Sequence, residues 1–163
     1  MSGTLAESLR GKRRVHLDSV TAIYMIEKHA LYQPIIRPVF ELVGAGILQD
    51  ISSYLTLLEA MIQPLRSGRV DLAREYRDTL VQSRNKTLFP VDREIAEQGA
   101  AIRAKYGSFK TPDDIQLATA IRREADAFVT NDKELKRCGE VQVLVLDEYL
   151  RPGPGTADLD HPA

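Results

Sequence analysis

Five carboxylates hold most of the chemistry this chain could do. Asp18 ends the apolar run RVHLD, Glu59 lies inside LTLLEAMI, Asp113 and Asp114 stand together in TPDDIQLATA, and Asp132 sits in the turn TND. Cys138 is the single cysteine, and His16, His29 and His161 are scattered, so no cysteine or histidine metal site is in view. Carboxylates alone favour hard cations such as Mg²⁺ or Mn²⁺ over zinc. A like-charged pair 4 Å apart costs about 4 kcal/mol at an effective dielectric near 20, so a converging set either takes up protons or recruits a divalent ion. Water held by such an ion can be activated against a phosphate ester.

Two of these positions invite closer reading. Thr111 then Pro112 reads as an N-cap and first helical residue, which makes Asp114 the acid that closes a capping box and leaves Asp113 spare. Glu59 is flanked by Leu57, Leu58, Met61 and Ile62. Its face of the helix is either exposed, or the acid is buried against a compensating partner.

The elements that must position these acids follow from periodicity. RVHLD, DISSY, TLFPV, ADAFVT and VQVLVL read as strands. Between them come helical patterns. Ile36, Val39, Phe40, Val43 and Ile47 form one apolar stripe, wide enough to seek a partner beyond the sheet; TLLEAMIQPL is a second helix that Pro64 helps to end; VDLAREYRDTLVQS is amphipathic. Asp92 caps a helix bearing Ile95, Ile102 and Tyr106, and Asp147 reads as a cap as well. Strands alternating with helices predict a three-layer α/β/α sandwich around a mostly parallel sheet. Ligands of such sheets bind beyond the carboxyl ends of the strands, where Asp18 and Asp132 fall. His16, among apolar neighbours, reads as a structural residue rather than a base.

At 163 residues, 44% hydrophobic and 28% charged, the chain is expected to form one domain over 14–150. Residues 1–13 read as an unpacked basic lead-in, and the Pro- and Gly-rich 151–163 as a disordered tail. A net charge of −1 excludes a uniformly basic nucleic-acid coat but allows local cations: Arg13, Arg14, Lys110, Lys133, Lys136 and Arg137. Lacking a spanning apolar segment or signal-like start, the chain is expected to be cytoplasmic, with no membrane partner.

LDSVTAIY, LTLLEAM, TPDDIQLATA and FVTND, in this order, resemble the PIN domain, most closely the VapC-type toxin nucleases. The resemblance implies an acidic site of Asp18, Glu59, Asp113 and Asp132, with Asp18, Asp113 and Asp132 on Mg²⁺ or Mn²⁺, that hydrolyses RNA. It sets Ser19, Thr130, Asn131 and Lys133 near the substrate, and implies a homodimer neutralised by an antitoxin protein whose segment enters between the early helices. The chain departs from the pattern at Val20, where many members carry a polar residue; this leaves a non-catalytic PIN-like RNA-binding or assembly module as the alternative. A magnesium phosphatase would need a second Asp where Val20 stands.

Overall fold

The computed structural model describes residues 3–151. Five parallel strands form one sheet: β1 (Arg14–Leu17), β2 (Gln49–Ser53), β3 (Lys86–Phe89), β4 (Ala127–Thr130) and β5 (Val143–Val145), in the order β3-β2-β1-β4-β5. Each expected strand is present. The crossovers that parallel pairing demands are helical: α2 (Ser19–Ile26) and α3 (Gln33–Gly44) after β1, α4 (Tyr54–Arg66) and α5 (Val70–Gln82) after β2, and α6 (Arg93–Tyr106) and α7 (Thr111–Arg122) after β3.

Alternation along the strands divides the core between the two faces. Val15, Leu17, Ala127, Val129 and Leu144 pack with Ile36, Val39 and Val43 of α3. Phe128, Val143 and Val145 turn the other way, onto Ile95 and Ile102 of α6 and Leu117 of α7. A third cluster joins Ala22, Ala60, Tyr76 and Leu80 of α2, α4 and α5. The result is the expected α/β/α sandwich. Among the described residues, no helix is long and apolar enough to cross a membrane.

Three sequence expectations need correction. The lead-in is not wholly unpacked: α1 (Leu5–Ser8), capped by Thr4, buries Leu5 and then Leu9 against the β1 face. The polar composition of 1–13 hid those two anchors. Of the α3 stripe, Ile36, Val39 and Val43 are core and Phe40 is half-buried; the helix stops at Gly44, and Ile47 beyond it is 62% exposed. The stripe therefore serves the fold and is not free for a partner. Pro64 does not stop α4 at once: it forgoes its own bond to the Ala60 carbonyl, and the helix runs two residues further to Arg66 before ending. The tail expected from 151 onward lies, after Arg151, outside the described residues.

Candidate active site

The strand order runs outward from β1 in both directions, so the crevice between the ends of β1 and β4 is the topological switch point where parallel sheets bind ligands. Asp18 follows β1 at that crevice and caps α2, accepting from its neighbour Ser19 N at 2.7 Å. Thr130 ends β4, and its hydroxyl donates across the switch point to Asp18 Oδ2 at 2.7 Å. The same Thr130 oxygen accepts from Asp132 N at 3.1 Å, which fixes the TND turn. Asp132 in turn caps the 3₁₀ helix Lys133–Arg137.

Glu59 reaches the site from α4. Ser19 Oγ donates to its Oε2 at 2.7 Å, tying the second acid to the first through the residue between them. Gln116 Nε2 donates to the same oxygen at 3.3 Å and to Thr56 Oγ1 at 3.1 Å. The Glu59 carboxylate takes the amide NH₂, which turns Gln116 Oε1 to His16 Nε2 at 2.9 Å and assigns the imidazole proton to that nitrogen. His16 is buried in β1 and stacked on Phe128 at 4.6 Å, a structural role, as its surroundings in the sequence suggested. Glu59 is therefore neither freely exposed nor fully buried, and these two polar partners, Ser19 and Gln116, hold its carboxylate. The buried brace of His16, Thr56 and Gln116 behind it has no sequence signature, since the three come from different elements.

At the start of α7 the roles of the two acids are the reverse of those read from TPDD. Lys110, not Thr111, is the N-cap, and Asp113 Oδ2 accepts from its backbone N–H at 3.2 Å. Proline is tolerated anywhere in the first turn, so the cap moved one residue and Asp113 became the third helical residue. Asp114 is buried and accepts from Arg103 Nε at 2.6 Å. It is an ion-pair acid tying α7 to α6. We expect Asp114→Asn to cost about 1–3 kcal/mol in urea unfolding, more than a lost cap alone, because a charged hydrogen bond disappears from a buried position. A loss below about 0.5 kcal/mol would show that the pair contributes little.

Burial pushes the Asp18 carboxyl up to about 6, opposed by the Thr130 hydrogen bond and reinforced by the charges of Glu59 and Asp113. Asp113 is also raised, by burial first, against the Lys110 N–H, with Asp132 adding repulsion. The four expected acids thus share one electrostatic field. Among the described residues no three carboxylates stand already at the spacing of a formed metal site. The donor set nonetheless fits Mg²⁺ or Mn²⁺: all oxygen, mutually repelling, and open to water, which Mg²⁺ retains in most of its positions.

His16 and Asp18 make opposite demands on pH. Asp18, raised, stabilises the fold fully below about pH 4 and loses that contribution as pH rises through about 6. His16, lowered by burial to about 4, stabilises above its ordinary 6.5 and loses that as pH falls. In metal-free protein the two offset each other between pH 4 and 6. Asp18→Asn should therefore gain about 1–2 kcal/mol at pH 8, allowing for partial exposure, and should lose stability as pH drops from 6.5 to 4. Chemical denaturation across that range checks both signs; a variant with the wild-type pH profile would refute the pairing.

Of the residues expected near substrate, Thr130, Asn131 and Lys133 line a cleft of about 480 Å³ with Asp18 and Asp132, while Ser19 bridges Asp18 and Glu59. Val20 and Tyr24 of α2 also line it. Arg13 and Arg14 stand at the opposite end of β1, their N–H groups held by Asp126 at 2.7 and 2.9 Å, so they are remote from the acids. Lys136 pairs with Glu148, and Arg137 donates to Ser108 Oγ at 2.5 Å.

The PIN domain family model matches residues 45–141, which hold Glu59, Asp113 and Asp132. No curated protein matches the chain. Among solved structures, the chain resembles VapBC2 from Rickettsia felis bound to a promoter DNA fragment (TM-score 0.66, 16% identity, covering 81% of this chain and 98% of that one). It is similarly close to DNA-bound VapBC from Salmonella typhimurium (0.66, 19%, 82% and 98%) and FitAcB from Neisseria gonorrhoeae (0.63, 18%, 81% and 97%). At these identities the likeness is one of fold. The family match spans more than half of the sequence, and with the acids gathered at its switch point the chain belongs to the PIN domain family.

Proposed function

We propose that this chain is a Mg²⁺- or Mn²⁺-dependent endoribonuclease, the toxin of a toxin–antitoxin pair. The observation that carries the reading is the convergence of Asp18, Glu59, Asp113 and Asp132 around one crevice, with the Asp18 carboxyl raised to about 6 by burial and by its acidic neighbours. Asp18, Asp113 and Asp132 would hold the metal. When bound, the ion supplies a water of lowered pKa and positive charge beside the phosphate. Glu59, held by Ser19 Oγ and Gln116 Nε2, would orient the attacking water or take its proton. Thr130 fixes the Asp18 carboxylate, and Lys133 offers charge for a neighbouring phosphate. Incubation of unstructured RNA with Mg²⁺, Mn²⁺ or EDTA tests this directly. Cleavage in EDTA, or none with either metal, refutes the reading; in the second case RNA binding without cleavage would favour the non-catalytic module.

The partner half of the reading draws on fold neighbours that include a toxin–antitoxin complex from Klebsiella pneumoniae and a VapBC-family toxin–antitoxin system from Mycobacterium tuberculosis. The homodimer we assign to α4, where Tyr54, Leu58, Ile62 and Leu65 form an exposed row at helical spacing. Leu58→Glu should convert a dimer to a monomer in light scattering at micromolar concentration. A wild-type monomer would remove the dimer from the proposal.

A further inference from the structure

Beside the acids, the cleft has an apolar side that metal-assisted hydrolysis by itself does not use. Val20 and Tyr24 stand four residues apart on α2, one turn above the other, and both line it. The Tyr24 ring is held by its neighbours: it stacks on Tyr32 at 4.4 Å with an interplanar angle of 14°, and meets His29 at 4.7 Å. The Tyr32 hydroxyl donates to Asp147 Oδ1 at 2.6 Å, which fixes that ring as well. Across the cleft, Asn131 Oδ1 accepts from Asp147 N at 3.1 Å, so NH₂ is the amide's donor end; one of its two N–H groups is taken by the Tyr32 hydroxyl and the second is left for a ligand. Lys133 supplies the cation, while Asp132, Glu134 and Asp147 make the remaining rim acidic.

We propose that this cleft is a nucleobase subsite: one base of single-stranded RNA lies along Val20 and Tyr24 and meets the Asn131 amide at its polar edge. The subsite rests on the nuclease reading and deepens it by naming what positions the substrate. The acidic rim argues for this occupant. Away from Lys133 that rim disfavours an anion, whereas a base is uncharged, flat and polar only at its edge. Aromatic platforms beside a charged backbone track are how single strands are commonly held. A volume of about 480 Å³ is that of a small-ligand cleft. The subsite also accounts for an apolar residue at position 20, directly beside the acids.

The test uses fluorescein-labelled, unstructured oligoribonucleotides identical except for one abasic position walked along the strand. Binding is read by anisotropy and cleavage by single-turnover assay in Mg²⁺. For wild type, one abasic position next to the cut should weaken binding or cleavage about 10- to 100-fold. Tyr24→Ala should lose that much on intact RNA and show no further abasic penalty; Tyr24→Phe should behave as wild type. Should Tyr24→Ala melt early, Val20→Asn probes the same wall one turn away and should halve the abasic penalty or more. An abasic penalty equal in wild type and Tyr24→Ala overturns the subsite, as does the lack of any sensitive position. Cleavage without a Tyr24-dependent penalty leaves the nuclease and removes the subsite. A Tyr24-dependent penalty on binding with no cleavage keeps the subsite and removes the nuclease. Weaker binding that is alike for RNA and an apolar peptide would mark the cleft as a protein-docking surface instead.

Discussion

RNA cleavage by Asp18→Asn should fall by at least about a hundred- to a thousandfold, with the fold intact and, without metal, more stable than wild type. The loss is large because Asp18 sits at the switch point and accepts from Ser19 N and Thr130 Oγ1, contacts that place its charge. In the amide the Ser19 N–H keeps its acceptor while the NH₂ replaces Oδ2, so the Thr130 hydroxyl must turn to accept from it; what is lost outright is the charge a divalent ion needs. Asp113→Asn should behave alike, since burial and the charge of Asp132 raise its carboxyl too. Metal should also raise the melting temperature of wild type: a free concentration a hundredfold above Kd stabilises by about 2.7 kcal/mol. For a domain of this size that is roughly 5–10 °C. Each amide variant should show a smaller shift, and NaCl matched in ionic strength should not reproduce it. Equal metal shifts in wild type and both variants would mean the acids do not form one site.

The parts of this site readable in the sequence were those fixed by strand ends. A parallel sheet puts its ligands beyond the carboxyl ends of strands, so Asp18 after RVHL and Asp132 after AFVT are conspicuous in the sequence alone. Glu59 stood out because a carboxylate inside an apolar helix needs a reason. The TPDD pair was misread in its local roles because a one-residue shift of the cap exchanges which acid faces the helix end and which faces α6. Nothing in 111–120 specifies that shift; Arg103, on another helix, does. Gln116, Thr56 and His16 are each ordinary in sequence, and only packing makes them a brace for Glu59. Tyr24 was hidden in the same way, within an apolar helix whose faces the sequence does not assign.

Asp50 and Lys86 were equally silent, and their pair carries the largest stability effect we expect from one substitution. They are register partners on β2 and β3, and their side chains are only 2% and 6% exposed. Lys86 Nζ meets Asp50 Oδ2, while Asp50 Oδ1 accepts from Ser52 Oγ at 2.7 Å and, more weakly, from Leu17 N at 3.4 Å. Two charges removed from water this completely are held only by each other and by these donors. Lys86→Met keeps the stem's apolar packing and deletes the ammonium, leaving a buried carboxylate with neutral donors alone. Breaking such a pair from one side costs about 3–5 kcal/mol, roughly 6–20 °C of melting temperature at this size. The double variant, Asp50→Asn with Lys86→Met, should recover most of that loss, because the amide oxygen still accepts from Ser52 and no charge remains to be solvated. The coupling between the two sites, from four unfolding curves, separates a true pair from two independent packing defects. Additive losses, or a Lys86→Met protein within about 1 kcal/mol of wild type, would show that water reaches Asp50 and that the sheet does not depend on the pair.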